Sequence, residues 1–372
     1  MLAVAAGLGT ASVAGCLGDD DDGSDDDTSE ESIPARGDLP AEIEALDEAV
    51  RSAMEDASIP GGVLGVAHEG SVVCERGYGY ADTDESTETD PDARFRIASV
   101  SKSLTSAAVH ELAAQGRLAL EDPVLEYLDV QDPAPAMDAM TVEHCLEHTA
   151  GFPAAGTGED PAFDPLAVAD ALSLEDPPDP ATLTRYALER TLETEPGETE
   201  AYSNVGYVVL GEVVAAASGQ DYQEYLETTV LPDPDGVDLG QTDPAERPAG
   251  EVDYHGEGPA PTALDLESDE EVPDVDGGFL VELLGGAGGH VATTAGLLAF
   301  MEDYWVYTGE PRGGESYRLA AEGSMPGTYA FTLQHEDCVS VAALFNRRDA
   351  DLATLPDALL DAIASIEDWP TG

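Results

Sequence analysis

The chain has 372 residues, 42% of them apolar, which is enough to bury a sizeable core in one large domain or two ordinary ones. Fourteen basic residues against 78 acidic ones leave a formal net charge of −64. Because no strongly basic patch offsets this charge, the composition argues against binding to nucleic acids or to anionic lipid headgroups. Dense carboxylates keep a protein soluble in high salt, so we interpret the acidity as halophilic adaptation and not as a clue to the substrate.

The N-terminal residues have the pattern of an exported lipoprotein. Residues 2–15 are apolar or small and too short to span a bilayer, which predicts the hydrophobic region of a signal peptide. The tetrapeptide VAGC at 13–16 resembles a lipoprotein cleavage box, so we expect a signal peptide over 1–16 and a lipid on Cys16. Residues 17–40 contain the run GDDDDGSDDDTSEES and predict a disordered acidic tether. The expected location is therefore extracytoplasmic, on the cell surface and anchored to the membrane, with an ordinary flexible terminus as the alternative.

The folded part is predicted to begin with a helix and a hairpin. Residues 41–57 carry apolar side chains at helical spacing, and residues 61–80 predict two strands around a Glu-Gly turn. A polar loop over 81–93 then leads to a helix over 99–116.

The rest of the chain predicts helices first and strands last. From about 118 to 270 we expect helical segments broken by acidic, proline-rich loops, and the clearest helix covers 205–218. Residues 328–346 predict a second strand pair, and a last helix covers about 352–366. Strands at both ends predict an α+β fold whose terminal segments complete one antiparallel sheet. We expect one domain over 41–372, with a mostly helical subdomain inserted at about 118–270.

Three cysteines fall in this domain, at Cys74, Cys145 and Cys338. Their number is odd and no CxxC spacing occurs, which argues against a disulfide framework and a structural zinc site. We expect buried free thiols.

The 14 basic residues are 13 arginines and a single lysine, Lys102. Arginine cannot lose its proton near neutral pH, whereas lysine can do so when a site lowers its pKa. An ordinary lysine, with a pKa of about 10.4, is almost wholly charged at neutral pH. If position 102 needed only positive charge, arginine would have served there, so the single lysine predicts a site that uses its amine; a chance occurrence is the alternative.

Lys102 follows Ser99 in an S-x-x-K pattern at the predicted start of a helix. Residues i and i+3 lie on one face of a helix, so the amine can reach the hydroxyl. The positive end of the helix dipole opposes protonation of the amine and favours an anionic oxygen nearby. Both effects help a neutral lysine to take a proton from Ser99, which predicts a nucleophilic serine. The alternative is a helix-capping Ser99 beside a solvated Lys102.

Four segments carry a wider resemblance. In chain order they are FRIASVSKSLTSAAVHELAAQGRLALEDPVLEYL, MTVEHCLEHTAGFP, PGETEAYSNVGYVVLGEVVAAASG and GGAGGHVATTAGLLAFM. Together they resemble the serine beta-lactamase and penicillin-binding-protein superfamily, in its class C-like branch of beta-lactamase-related serine hydrolases. The resemblance runs from about 41 to 366. It implies a beta-lactamase/transpeptidase-like fold and a cofactor-free hydrolase that forms an acyl-enzyme from an ester or amide.

The resemblance also implies roles for individual residues. Ser99 attacks the carbonyl, Lys102 and Tyr202 share the general-base and proton-relay duty, and Asn204 holds the substrate amide or orients the lysine. The backbone N–H groups of Ser324 and Ser99 form the oxyanion hole. The residues themselves are compatible with this, since a phenol beside a cation can relay a proton. An N-capping role for Asn204 is the local alternative.

The third motif of the superfamily, K-T-G or H-x-G, has its counterpart in the segment AEGS at 321–324. Ala321 occupies the position of the cation, which in the superfamily helps to bind a substrate carboxylate. Its absence favours neutral esters or amides over carboxylate-bearing beta-lactams and peptides with a free C-terminus. The backbone of Gly323 and Ser324 can still serve an oxyanion hole, because that duty needs no side chain.

Two other classes of protein stay open. The loss of the cation at Ala321 favours a non-catalytic binding protein that keeps the fold. The segment His144, Glu147 and His148 matches H-x-x-E-H, in which two histidines on one helix face hold zinc and the glutamate acts as base of a metallopeptidase. The expected partners are a small-molecule or peptide ester or amide, no nucleic acid, and the membrane through the lipid anchor only. We expect a monomer.

Overall fold

The strands come from both ends of the chain and meet in one central sheet. The computed structural model describes residues 33–155, 160–313 and 318–370. In chain order the strands of this part are β1 (Ala35–Arg36), β2 (Gly61–His68), β3 (Ser71–Gly79), β4 (Phe95–Arg96), β5 (Val237–Leu239), β6 (Pro259–Pro261), β7 (Glu271–Pro273), β8 (His290–Ala292), β9 (Leu319–Met325), β10 (Thr328–His335) and β11 (Val339–Phe345). Six of them form an antiparallel sheet in the order β1-β3-β2-β11-β10-β9, which confirms the predicted α+β layout.

Helices cover both faces of this sheet. In chain order they are α1 (Glu44–Asp56), α2 (Ser101–Ala114), α3 (Val142–Leu146), α4 (Pro165–Leu172), α5 (Pro180–Leu188), α6 (Asn204–Ser218), α7 (Tyr222–Tyr225), α8 (Val281–Gly288), α9 (Thr294–Asp303) and α10 (Leu355–Ser365). Helices α1 and α10 share one hydrophobic cluster with one face of the sheet, and α2, α6, α8 and α9 share a second cluster with the other face.

The first helix shows how the apolar spacing sets the packing. Ile43, Leu46, Val50 and Met54 are all buried, as their helical spacing predicts. They lie in one cluster with Leu359 and other apolar residues of α10 and of the sheet. Burying one side chain of this size contributes about 1.5–3 kcal/mol, so this layer fixes the two terminal helices on the sheet.

Both predicted hairpins form. In the β2–β3 turn, Glu69 and Gly70 have φ values of 49° and 78°, and two consecutive positive φ angles match the twist that joins antiparallel strands tightly. The second hairpin joins β10 to β11, and Cys338 in its turn has a φ of 60°.

Two predicted boundaries differ from the structure. Residues 35–36, placed in the acidic tether from 17 to 40, form strand β1 and pair with Tyr78 and Gly77 of β3. An edge strand can add to a sheet through its backbone, whatever its composition. The predicted helical subdomain over 118–270 is helical up to α7, whereas residues beyond 231 are mainly loops with short strands.

The three cysteines of the described residues are free, but only two of these three are buried. Cys74 packs in the cluster under α1 and Cys145 lies in α3, as predicted. Cys338 is exposed, because it occupies a hairpin turn, and the expectation of burial is wrong for it.

Residues 1–32, with the predicted signal peptide, lipidation site and most of the tether, lie outside the described residues. Within the part of the chain that is described, no helix is long and apolar enough to cross a membrane.

Candidate active site

The turn that carries Ser99 connects strand β4 to helix α2. Ala98 has a φ of 45°, in the left-handed region where a residue with a Cβ is uncommon. Residues 98–100 form a turn of 3-10 helix, and α2 begins at Ser101, two residues later than the sequence predicts. The sharp turn leaves Ser99 partly exposed at the start of a buried helix.

Lys102 is buried, with 6% of its surface exposed, and its amine contacts three oxygen atoms. The Nζ atom lies 3.0 Å from Ser99 Oγ, 2.8 Å from Asn204 Oδ1 and 2.6 Å from the carbonyl oxygen of Ala287. The side chain therefore does not point into solvent, and the predicted contact between amine and hydroxyl forms.

The three contacts suit both protonation states of the amine. A charged ammonium has three N–H donors, which match the three oxygens. A neutral amine has two N–H donors and a lone pair. If Asn204 Oδ1 and Ala287 O take the two donors, the lone pair points at the hydroxyl of Ser99. The same geometry can thus hold the amine before and after it takes a proton.

Tyr202 approaches the same serine from the loop before α6. Its hydroxyl donates to Ser99 Oγ at 2.7 Å, and 38% of the residue's surface is exposed. The amine of Lys102 lies 4.9 Å from the centre of the Tyr202 ring. Ser99 Oγ therefore has both an amine and a phenol within hydrogen-bonding distance, although Tyr202 is 103 positions away in the sequence.

His148 supports the Tyr202 loop. Its ring lies 4.5 Å from the ring of Tyr202 and 5.1 Å from that of Tyr207, measured between centroids. Its Nδ1 accepts a hydrogen bond from the backbone N–H of Ser203 at 3.2 Å. Burial, with a smaller contribution from the charge of Lys102, lowers the pKa of His148 to about 3. The imidazole is therefore neutral at ordinary pH and can accept this bond.

Asn204 is the first residue of α6 and does not cap it. The N-cap is Ser203, and no side chain caps the helix there, so the capping alternative for Asn204 is wrong. Its Oδ1 accepts from Lys102 instead, and its Nδ2 donates to Asp160 Oδ2 at 2.7 Å. The amide links the lysine to a carboxylate.

Strand β9 passes close to the Ser99 turn at the edge of the sheet. Gly323 faces the turn, where a Cβ would collide with the carbonyl oxygen of Ile97 and would lie 2.9 Å from the backbone nitrogen of Ser99. Only glycine allows this approach. Ala321, which the sequence analysis placed at the cation position of the third motif, is 8% exposed and belongs to the apolar cluster. Ser324 follows on the same strand and is exposed.

The H-x-x-E-H segment does not form the geometry that a zinc site on a helix requires. Helix α3 ends at Leu146, and His148 lies beyond it with a φ of 57°. His144 Nδ1 accepts from the backbone N–H of Thr141, within a capping box at the start of α3. The two imidazoles therefore do not share one helix face, and each holds a backbone N–H group.

Two contacts of the site were not predicted from the sequence. The carbonyl of Ala287 lies in a glycine-rich segment that the resemblance covers, but a backbone acceptor has no residue signature. Asp160 is one of 78 acidic residues, so its type carried no signal. The tertiary structure alone brings both atoms to the Lys102 and Asn204 side chains.

The antiparallel sheet flanked by helices matches the fold of beta-lactamase/transpeptidase-like proteins. The family model described as "Beta-lactamase" matches residues 46–340 of the 372. The chain belongs to this family.

Two curated relatives illustrate the range of the family. The chain is 29% identical to Protein flp of Staphylococcus aureus (strain N315) over 189 residues, which cover 50% of this chain and 36% of that protein. It is 32% identical to Esterase EstB of Burkholderia gladioli over 225 residues, which cover 59% of this chain and 56% of that protein. The matches thus span less than two thirds of either relative.

Solved structures share the fold. A penicillin-binding protein homologue from Pyrococcus abyssi, described as octameric, has a TM-score of 0.63 at 20% identity and covers 87% of this chain and 77% of its own. A D-amino acid amidase from Ochrobactrum anthropi has a TM-score of 0.64 at 19% identity and covers 87% of this chain and 99% of its own. At these identities the likeness concerns the fold alone.

Proposed function

We propose that this protein is a serine hydrolase that cleaves an ester or amide through an acyl-enzyme on Ser99. The observation that carries the proposal is that an amine and a phenol both contact the hydroxyl of Ser99. Lys102 Nζ lies 3.0 Å and Tyr202 OH lies 2.7 Å from Ser99 Oγ. Membership of the beta-lactamase family supports it, and so does the similarity to a relative named as an esterase.

In the acylation step, Ser99 Oγ bonds to the carbonyl carbon of the substrate while its proton passes to the lone pair of a neutral Lys102. Asn204 Oδ1 and Ala287 O hold the two amine hydrogens and aim that lone pair. A positioned general base contributes about a hundred- to ten-thousandfold in rate. The oxygen of the carbonyl becomes an oxyanion in the tetrahedral intermediate.

The oxyanion needs donors already in place. The backbone N–H groups of Ser99 and Ser324 are the proposed pair, and the close approach of Gly323 to the Ser99 nitrogen keeps β9 beside the turn. Backbone donors in a water-excluded site stabilise developing charge without reorganising.

Tyr202 is the proposed proton donor to the leaving group. Its hydroxyl contacts Ser99 Oγ, and the residue is exposed, so a substrate bound to Ser99 can reach it. It gives its proton to the departing alcohol or amine as the C–O or C–N bond breaks, and Lys102 returns the proton to it. A water molecule then attacks the acyl ester and loses a proton to the same pair. The bond between the carbonyl carbon and Ser99 Oγ breaks, the acid product leaves, and the proton passes from the pair to Ser99 Oγ.

The third motif bears on the substrate. Ala321 is buried and apolar, so it offers no charge to a substrate carboxylate. We therefore propose neutral esters or amides as better substrates than carboxylate-bearing beta-lactams.

A fluorophosphonate probe in high salt is expected to label the wild type at Ser99 and to leave Ser99→Ala unlabelled. The exposed Ser52 on α1 supplies the control, since Ser52→Ala should label like the wild type. Mass spectrometry of the labelled peptide reads the site. A folded wild type that takes no label would favour the alternative, a binding protein that keeps the fold without the reaction.

We also propose that the protein is an extracytoplasmic lipoprotein anchored through Cys16, from its VAGC tetrapeptide and acidic tether. Cells fed a labelled lipid precursor should yield a labelled wild-type chain and an unlabelled Cys16→Ala chain. The exposed Cys338 is the control, and Cys338→Ala should keep the label. Label that persists in Cys16→Ala, or none in the wild type, contradicts the anchor.

A further inference from the structure

A carboxylate lies one hydrogen bond beyond the Lys102–Asn204 pair. Asp160 Oδ2 accepts from Asn204 Nδ2 at 2.7 Å, and Asp160 Oδ1 accepts from the backbone N–H of Ala162 at 3.1 Å. Both oxygens are held, so the carboxylate has a defined position next to the site. The side chain is half-buried, and this reduces the screening of its charge by salt.

The contact changes what Asn204 can offer a substrate. Its amide oxygen accepts a hydrogen bond from Lys102, and its amide nitrogen donates one to Asp160. The group beyond the amide is therefore an acceptor with negative charge. Such a group binds a donor or a cation on the acyl portion of a substrate and opposes another carboxylate.

The charge of Asp160 is not neutralised by an arginine. Among residues 33–155, 160–313 and 318–370, no arginine is hydrogen-bonded or ion-paired to Ser99, Lys102, Asn204 or Asp160. Ala321 brings no cation on β9. When Lys102 is neutral, as the proposed reaction requires, the group formed by Ser99, Lys102, Asn204 and Asp160 carries a net charge of about −1, and that charge lies on the Asp160 carboxylate.

We propose that Asp160 is a specificity-determining residue that makes the Ser99 site favour acyl groups carrying an ammonium group over acyl groups carrying a carboxylate. This inference rests on the proposed hydrolase function and narrows its substrate class. An opposite charge held a few ångströms from a partly buried carboxylate is expected to shift relative rates by roughly ten- to a hundredfold.

Three p-nitrophenyl esters of matched shape test it: 4-(aminomethyl)benzoate, 4-ethylbenzoate and the monoester of terephthalate, whose acyl groups are cationic, neutral and anionic. Rates of p-nitrophenol release, with intact mass to show the acyl adduct, are compared at the lowest salt that keeps the protein folded. The wild type should rank them in that order. Asp160→Asn, which removes the charge and keeps the size, should cut the ratio of cationic to anionic kcat/KM by about tenfold or more.

The control separates local charge from the overall acidity of the chain. Asp361→Asn removes one exposed carboxylate on α10, on the opposite face of the sheet, and should leave the ratio at the wild-type value. A ratio in Asp160→Asn within twofold of the wild type overturns the inference while the hydrolase stands. If no ester acylates the folded wild type, both the function and the inference fail.

Discussion

A Lys102→Arg variant is expected to lose about a hundred- to ten-thousandfold in the rate of Ser99 acylation, although it keeps the positive charge. The guanidinium has five N–H donors and no lone pair to offer, and it stays protonated at any pH the protein survives. It can still donate to Asn204 Oδ1 and Ala287 O, which hold the amine in the wild type. The lost rate therefore measures the contribution of proton acceptance by residue 102 separately from the contribution of its positive charge.

The measurement is the time course of the acyl adduct, followed by intact mass with an activated ester in high salt. Lys102→Met serves as the second variant, because it removes charge and base together at similar length. Both variants should be equally slow, while circular dichroism reports that they fold. If folded Lys102→Arg acylates at the wild-type rate, the amine of Lys102 is not the general base. The single lysine of the chain would then have no catalytic explanation.

A Gly323→Ala variant is expected to acylate about a hundred- to a thousandfold more slowly, which corresponds to about 2.7–4 kcal/mol for one lost oxyanion donor. The added Cβ would meet the carbonyl oxygen of Ile97 and lie 2.9 Å from the Ser99 nitrogen, and both are backbone atoms. Backbone cannot swing aside as a side chain does, so β9 has to move away from the Ser99 turn. The overpacking also costs about 1–3 kcal/mol of stability.

Gly258→Ala is the matched control, since an added Cβ there meets nothing within 4 Å. It should acylate and melt like the wild type. Acylation is scored per folded molecule, from thermal melting measured on the same sample, so that lost stability is not counted as lost activity. A folded Gly323→Ala that acylates at the wild-type rate would show that β9 does not supply the oxyanion site.

Local chemistry explains what could be predicted from the chain alone. The Ser99–Lys102 contact spans three positions at a helix start, and helical geometry brings such residues together without help from the rest of the fold. The hairpins at β2–β3 and β10–β11 follow from pairs of strand-forming segments on either side of a short turn. Tyr202, far along the chain, could be placed at the site only through a family resemblance.

The amino-acid sequence by itself predicted the contact between Ser99 and Lys102 and the antiparallel sheet made from both ends of the chain, and it placed Ala321 at the expected cation position of the third motif. Only the tertiary structure decided that Ala287 O and Asn204 Oδ1 accept hydrogen bonds from the amine of Lys102. It also decided that Asp160 accepts from the Asn204 amide and that Gly323 lies against the Ser99 turn. A backbone atom cannot be recognised from a residue type, and one carboxylate cannot be singled out among 78 acidic residues. Their positions are set by the packing of segments that lie far apart in the sequence.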